Sequence, residues 1–117
     1  MNNHSIKIYH MCRKEEWEQA LKKGKYSGSF QDRKDGFIHF SSKQQIVASA
    51  AKHRAGQSDI LLLTVLQCPL GTALKWEKSR GGALFPHLYG DLPISLVSDI
   101  TPLPLGKDGK HIFPETF

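Results

Sequence analysis

Three histidines stand beside aromatic residues at the edges of short apolar runs. His10 ends Ile6-Lys7-Ile8-Tyr9-His10, His39 lies in Asp35-Gly36-Phe37-Ile38-His39-Phe40-Ser41-Ser42, and His87 lies in Phe85-Pro86-His87-Leu88-Tyr89-Gly90. An imidazole changes charge near neutral pH and both donates and accepts hydrogen bonds, so a ring at a strand edge suits a contact to a ribose hydroxyl or a phosphate oxygen. On a strand, Phe37 and His39 share one face while Ile38 and Phe40 share the other. If the second face packs on the core, His39 points into a cleft or to solvent. Each histidine also has a structural reading, as a ring bonded to a backbone carbonyl or, for His87 after its proline, as a loop anchor. Ser41 and Ser42 stand where a helix begins; such serines cap, and a helix N-terminus also attracts anions. Glu77 closes Lys75-Trp76-Glu77-Lys78 and precedes Arg80-Gly81-Gly82. A carboxylate there orients a hydroxyl or stabilises a cationic transition state; otherwise it is an exposed partner of Lys75 or Arg80.

The histidines form no HxxxH or HxH pair, and no spacing matches a zinc signature, so no metal is expected. GxxxxGK[ST] and GxGxxG are both missing, which removes the two common nucleotide fingerprints. Cys12 and Cys68 form no CxxC pair. They read as reduced thiols, and Cys12 with a distant histidine is a weak nucleophile signal.

These groups must be positioned by one small domain, expected over residues 1–117. Hydrophobic residues make up 39% and charged residues 23%, which is ordinary globular composition. No apolar run approaches the roughly 20 residues of a membrane span, so no membrane partner is expected. The first residues lack a secretory pattern, and the expected location is cytoplasmic. A net charge of +5 favours an anionic partner.

Residues 5–11 read as a first strand and residues 13–23 as a helix with Trp17, Ala20 and Leu21 on its buried face, ended by Gly24. Residues 26–36 read as a loop folding over a site. Residues 37–40 form a short strand, and Ser41 or Ser42 caps a helix reaching about residue 54, with Ile46, Val47, Ala50 and Ala51 inward. Residues 60–66 read as a central strand buried on both faces. Strands follow at 73–77, 84–88 and 94–100, then a hairpin turn at 107–110 and an edge strand at 111–113. The pattern predicts a single α+β domain with a mixed or antiparallel β-sheet and two helices in its N-terminal half.

In the order Ile8-Tyr9-His10, Trp17, Gly24-Lys25-Tyr26, Asp35 to Ser42 with Gln45, Trp76-Glu77 and Phe85 to Gly90, the chain resembles the DUF952 family of small bacterial proteins. Its first half is also similar to RNA 2′-phosphotransferases and, more distantly, to ADP-ribosyltransferases, through His10, Trp17, Gly24 and Phe37-Ile38-His39-Phe40-Ser41. It departs from them in carrying Met11-Cys12 where they have Gly-Thr. The resemblance implies an ADP-ribosyltransferase-like fold holding NAD or an ADP-ribose-like nucleotide in a cleft. It implies catalytic roles for Glu77 and His39, with His10, Ser41, Ser42, His87 and Tyr89 as ligand-binding residues. A transferase of this kind uses a small-molecule or nucleotide donor and an RNA or protein acceptor. The alternative is a non-catalytic module that binds a nucleotide-like ligand.

Overall fold

The computed structural model describes residues 6–79, 81–115 and 117. The first residue of the expected leading strand, Ser5, and the expected partner of Glu77, Arg80, lie outside the described residues. In chain order the elements are β1 (Lys7–Arg13), α1 (Lys14–Lys23), β2 (Lys25–Tyr26), α2 (Phe30–Asp35), β3 (Ile38–His39), α3 (Lys43–His53) and β4 (Ile60–Leu66). A 3-10 segment (Cys68–Ala73), β5 (Leu74–Lys78), β6 (Leu84–Leu88), β7 (Leu92–Pro93), a 3-10 turn (Ile94–Leu96) and β8 (Val97–Leu103) follow.

The apolar run of β4 makes it the middle strand of β1-β4-β8, antiparallel to both neighbours. Alternation along the strands divides the interior in two. Ile8 and Cys12 of β1 with Leu63 and Val65 of β4 enter one core, alongside Trp17, Tyr26, Ile38, Phe40 and Leu88. Tyr9 and Met11 with Ile60 and Leu62 enter the other, alongside Ile46 and Ala50 of α3 and Leu103. The sheet therefore has α3 on one face and α1 with the small strands on the other.

The architecture is a single α+β domain, as the pattern predicts, but the sheet is not one. Every ladder is antiparallel, and the strands divide into β1-β4-β8, β3-β6-β5 and the two-residue pair β2-β7. The helical stripes are narrower than expected. Trp17 and Ala20 are buried, but Leu21 is 53% exposed, because a ten-residue helix touches the core along little more than one row. In α3 only Ile46 and Ala50 are buried; Val47 and Ala51 face out.

The expected loop at 26–36 contains a third helix, α2. Ser29 caps it: the Asp32 amide donates to Ser29 Oγ at 3.3 Å, and the Ser29 amide donates to Asp32 Oδ2 at 2.7 Å. Residues 94–96 form a 3-10 turn rather than the start of a strand. The turn at 106–110 forms, with the Gly106 amide on the Lys110 carbonyl at 2.8 Å, but the edge strand after it reduces to one bridge, Leu105 to His111.

Trp17 is 5% exposed and packs beside Tyr26, with ring centroids 6.4 Å apart. Trp17→Ala is expected to cost roughly 3–5 kcal/mol by urea denaturation; a loss under about 1 kcal/mol would show that α1 contributes little to the core.

Candidate functional site

The capping of α2 fixes a carboxylate inside the protein. Asp32 is 3% exposed, and its Oδ1 accepts both the His39 backbone N–H at 3.1 Å and the ring Nδ1–H of His39 at 2.6 Å. Burial alone would raise its pKa; bonds from the His39 ring and from the backbone amides of Ser29 and His39 outweigh burial and hold the carboxyl well below the usual range. Asp35, one turn further along α2, meets the other His39 nitrogen, Nε2, at 3.1 Å. With a carboxylate on each side, the His39 pKa is raised, chiefly by the Asp32 bond, which favours the imidazolium.

His10 lies behind this pair, 3% exposed, and does not reach the surface. Its Nδ1 donates to the His39 carbonyl at 2.6 Å, which leaves Nε2 to accept from the Tyr26 hydroxyl at 2.7 Å. Burial lowers its pKa, more strongly than the Asp32 carboxylate 3.6 Å away raises it, so His10 is neutral. Burial likewise pushes up the Tyr26 hydroxyl, and it pushes the Cys12 thiol up to about 12, so Cys12 supplies no thiolate.

The small sheet brings the second histidine group to the first. Register in β3-β6-β5 sets His39 opposite His87, and β5 carries Glu77 alongside β6. Glu77 Oε1 accepts from His87 Nδ1 and from the Tyr89 hydroxyl, each at 2.8 Å. These two bonds lower the Glu77 pKa and keep it ionised. Because His87 donates through Nδ1, its Nε2 presents a lone pair when the ring is neutral. Phe37 fills the angle between the groups: its ring stacks on His87 at 4.1 Å and lies 4.6 Å from His39 and 5.2 Å from Tyr89. The His39 and His87 rings are 5.6 Å apart. The result is a surface with one imidazolium between carboxylates, one imidazole oriented by a carboxylate, and two aromatic rings.

The serines are elsewhere. Ser41 pairs through its backbone with Tyr9, and its hydroxyl meets Ser49 of α3 at 3.0 Å, on the α3 side of the main sheet. Ser42 caps α3, its amide donating to Gln45 Oε1 at 2.9 Å. Thus His39, His87, Glu77 and Tyr89 come together, His10 stands behind them, and Ser41 and Ser42 do not join. Asp32, which lay outside the quoted motifs, and Asp35, which heads the 35–42 stretch but was given no role, complete the group. The signal for Asp32 was in the sequence: Ser29-Phe30-Gln31-Asp32 is a capping box. Among the described residues no three His, Cys, Asp or Glu side chains are arranged to hold a metal ion.

A family described as "Protein of unknown function (DUF952)" matches residues 11–100. The crystal structure of protein CC0527 from Caulobacter crescentus is similar, with 45% identity, 91% of this chain and 93% of that chain covered, and a TM-score of 0.88. The solution NMR structure of CC0527 is similar as well, with 46% identity over 89% of this chain and 90% of that chain and a TM-score of 0.81. No curated protein matches the sequence.

The Asp32 charge also stabilises the fold. Asp32→Ala is expected to cost about 3 kcal/mol at pH 7, the low end for breaking a buried pair because half-exposed His39 can turn to water. The folded pKa of Asp32 is depressed, so this contribution is complete above about pH 4 and is lost as pH falls further. Urea titrations of wild type and variant should therefore converge toward pH 2; a gap independent of pH would mean that the charge is not its source.

Proposed function

The chain belongs to the DUF952 family, and from its paired imidazole–carboxylate groups we propose that it is a transferase acting at the ribose of an NAD- or ADP-ribose-like nucleotide. One observation carries this reading. Glu77 Oε1 accepts hydrogen bonds from His87 Nδ1 and the Tyr89 hydroxyl at 2.8 Å each, and the His39 imidazolium stands one strand away. Breaking the bond between ribose and nicotinamide builds cationic charge on the ribose, as glycosidic cleavage does in general. An ionised Glu77 faces that charge through Oε2, which makes no hydrogen bond among the described residues. The nicotinamide leaves with the bonding electrons. His87 Nε2 takes the proton of the acceptor hydroxyl as its oxygen bonds the ribose carbon. The His39 ring, held by Asp32 and Asp35, supports Phe37, and Phe37 and Tyr89 offer apolar surface to a ring. His10 then acts indirectly, by holding the His39 backbone, since both its nitrogens are occupied inside the protein. The net charge of +5 suits an anionic acceptor such as RNA, and a protein side chain is the other acceptor class.

A non-catalytic nucleotide-binding module is the second reading. It is favoured by the open setting of the group: clefts of about 820 and 530 Å³ are lined by side chains other than His39, Glu77, His87 and Tyr89.

The two readings separate on mutation. Glu77→Gln should leave nucleotide affinity nearly intact and lower turnover about 10²-fold, roughly 2.7 kcal/mol of transition-state stabilisation. His39→Ala should weaken binding of NAD or ADP-ribose itself. Binding by the wild type without cleavage or transfer would favour the module, and no binding at millimolar nucleotide would reject both.

A further inference from the structure

Beyond the N-terminus of α3 the main sheet meets Phe117 rather than the helix, and its side chains change character there. Along β4 the face toward α3 carries Ile60 and Leu62, both buried in the α3 core, and then Thr64. The register extends that change across the sheet: Tyr9, Thr64 and Asp99 form one row, and Thr101 lies opposite Leu62. A cleft of about 820 Å³ stands on this floor, with Trp76 and Gln67 among its lining residues. That volume lies in the range of small-molecule sites, roughly 300–1,000 Å³.

Two features suggest what it would hold. Trp76 is 39% exposed, and its indole N–H donates to Gln67 Oε1 at 3.0 Å, which fixes the plane of an accessible ring. Asp99 uses only Oδ1, which accepts the Ile100 amide at 3.0 Å; Oδ2 makes no hydrogen bond among the described residues. A flat aromatic wall beside a carboxylate and two threonine hydroxyls matches a ring with one apolar face and hydroxyls at its rim. Lys7 and Lys43 also line the cleft, the Lys43 ammonium 6.0 Å over the Phe117 ring, and they add donors for the rim hydroxyls of such a ring. Trp76 and Glu77 are neighbours on β5, so they face opposite sides of their sheet, and this cleft is separate from the histidine surface.

We propose that the cleft binds a hydroxylated sugar ring, stacked on Trp76 and hydrogen-bonded to Asp99, carried by either a saccharide or a nucleoside. The test is a ¹H–¹⁵N NMR titration with adenosine, uridine and cellobiose in turn. The chain has two tryptophans, and buried Trp17 is the internal control. The Trp76 indole signal should shift saturably at millimolar ligand while that of Trp17 stays in place. Asp99→Asn, on an exposed stretch of edge strand β8, should weaken binding about tenfold or more. His39→Ala, which weakens nucleotide binding at the histidine group, should leave binding in this cleft unchanged, so failure here and failure of the transferase reading are distinguishable. Saturation with the nucleosides alone or with cellobiose alone identifies the source, and either supports the site. No saturable shift with any of the three, or equal affinity in Asp99→Asn, would overturn it.

Discussion

Asp32 is an ionised carboxylate placed almost entirely out of water, and it is tolerated there because donors surround it: the Ser29 and His39 backbone N–H groups and the His39 ring. A buried charge is costly unless hydrogen-bonded and paired, so the surrounding backbone must take one conformation. Gly28 shows how tight that requirement is. Its φ is +93°, and a Cβ there would stand 2.6 Å from Asp32 Cβ, so any other residue would displace the carboxylate or strain the chain. Helix α2 serves mainly to deliver this group, since its six residues bury little apolar surface: Phe30, its first residue, is 73% exposed.

From Asp32 the order passes outward through β3. That strand is two residues long, too short to be stable alone, and is held by β6 on one side and by the His10 bond to its carbonyl from within. His10 in turn is fixed by its place on β1, whose neighbouring positions fill two cores. The packed sheet thus locates His10, His10 and Asp32 locate His39, and the β3–β6 register places His39 beside His87. The surface residues that do chemistry rest on buried polar contacts rather than on their own loops, which is the arrangement that preorganised sites require.

The parts of this plan that depend on apolar periodicity were legible in the sequence. The run at 60–66 read as the central strand, Trp17 and Ala20 as part of a buried face, Gly24 as a cap, and Ser41 or Ser42 as the start of α3, which Ser42 is. The parts that depend on polar contacts between distant segments were not. Asp32 looked like one of several charges in a loop, because a helix of six residues has no apolar repeat to reveal it. His10 looked like a ligand contact, because nothing local shows that a strand-edge histidine will have both nitrogens occupied by Tyr26 and His39. The pairing of Glu77 with His87 and Tyr89 was visible only as three residues of suitable chemistry; their meeting follows from the β5–β6 register, which sequence spacing alone does not set.

The buried scaffold gives His39 and His10, joined through the β3 backbone, opposite proton states. This is tested most directly by measuring the ¹⁵N shifts of the two imidazoles at pH 7, where protonated, donor and bare-acceptor nitrogens are well separated. His39 is expected with both nitrogens protonated and His10 neutral with its proton on Nδ1. A neutral His39, or a His10 proton on Nε2, would contradict it.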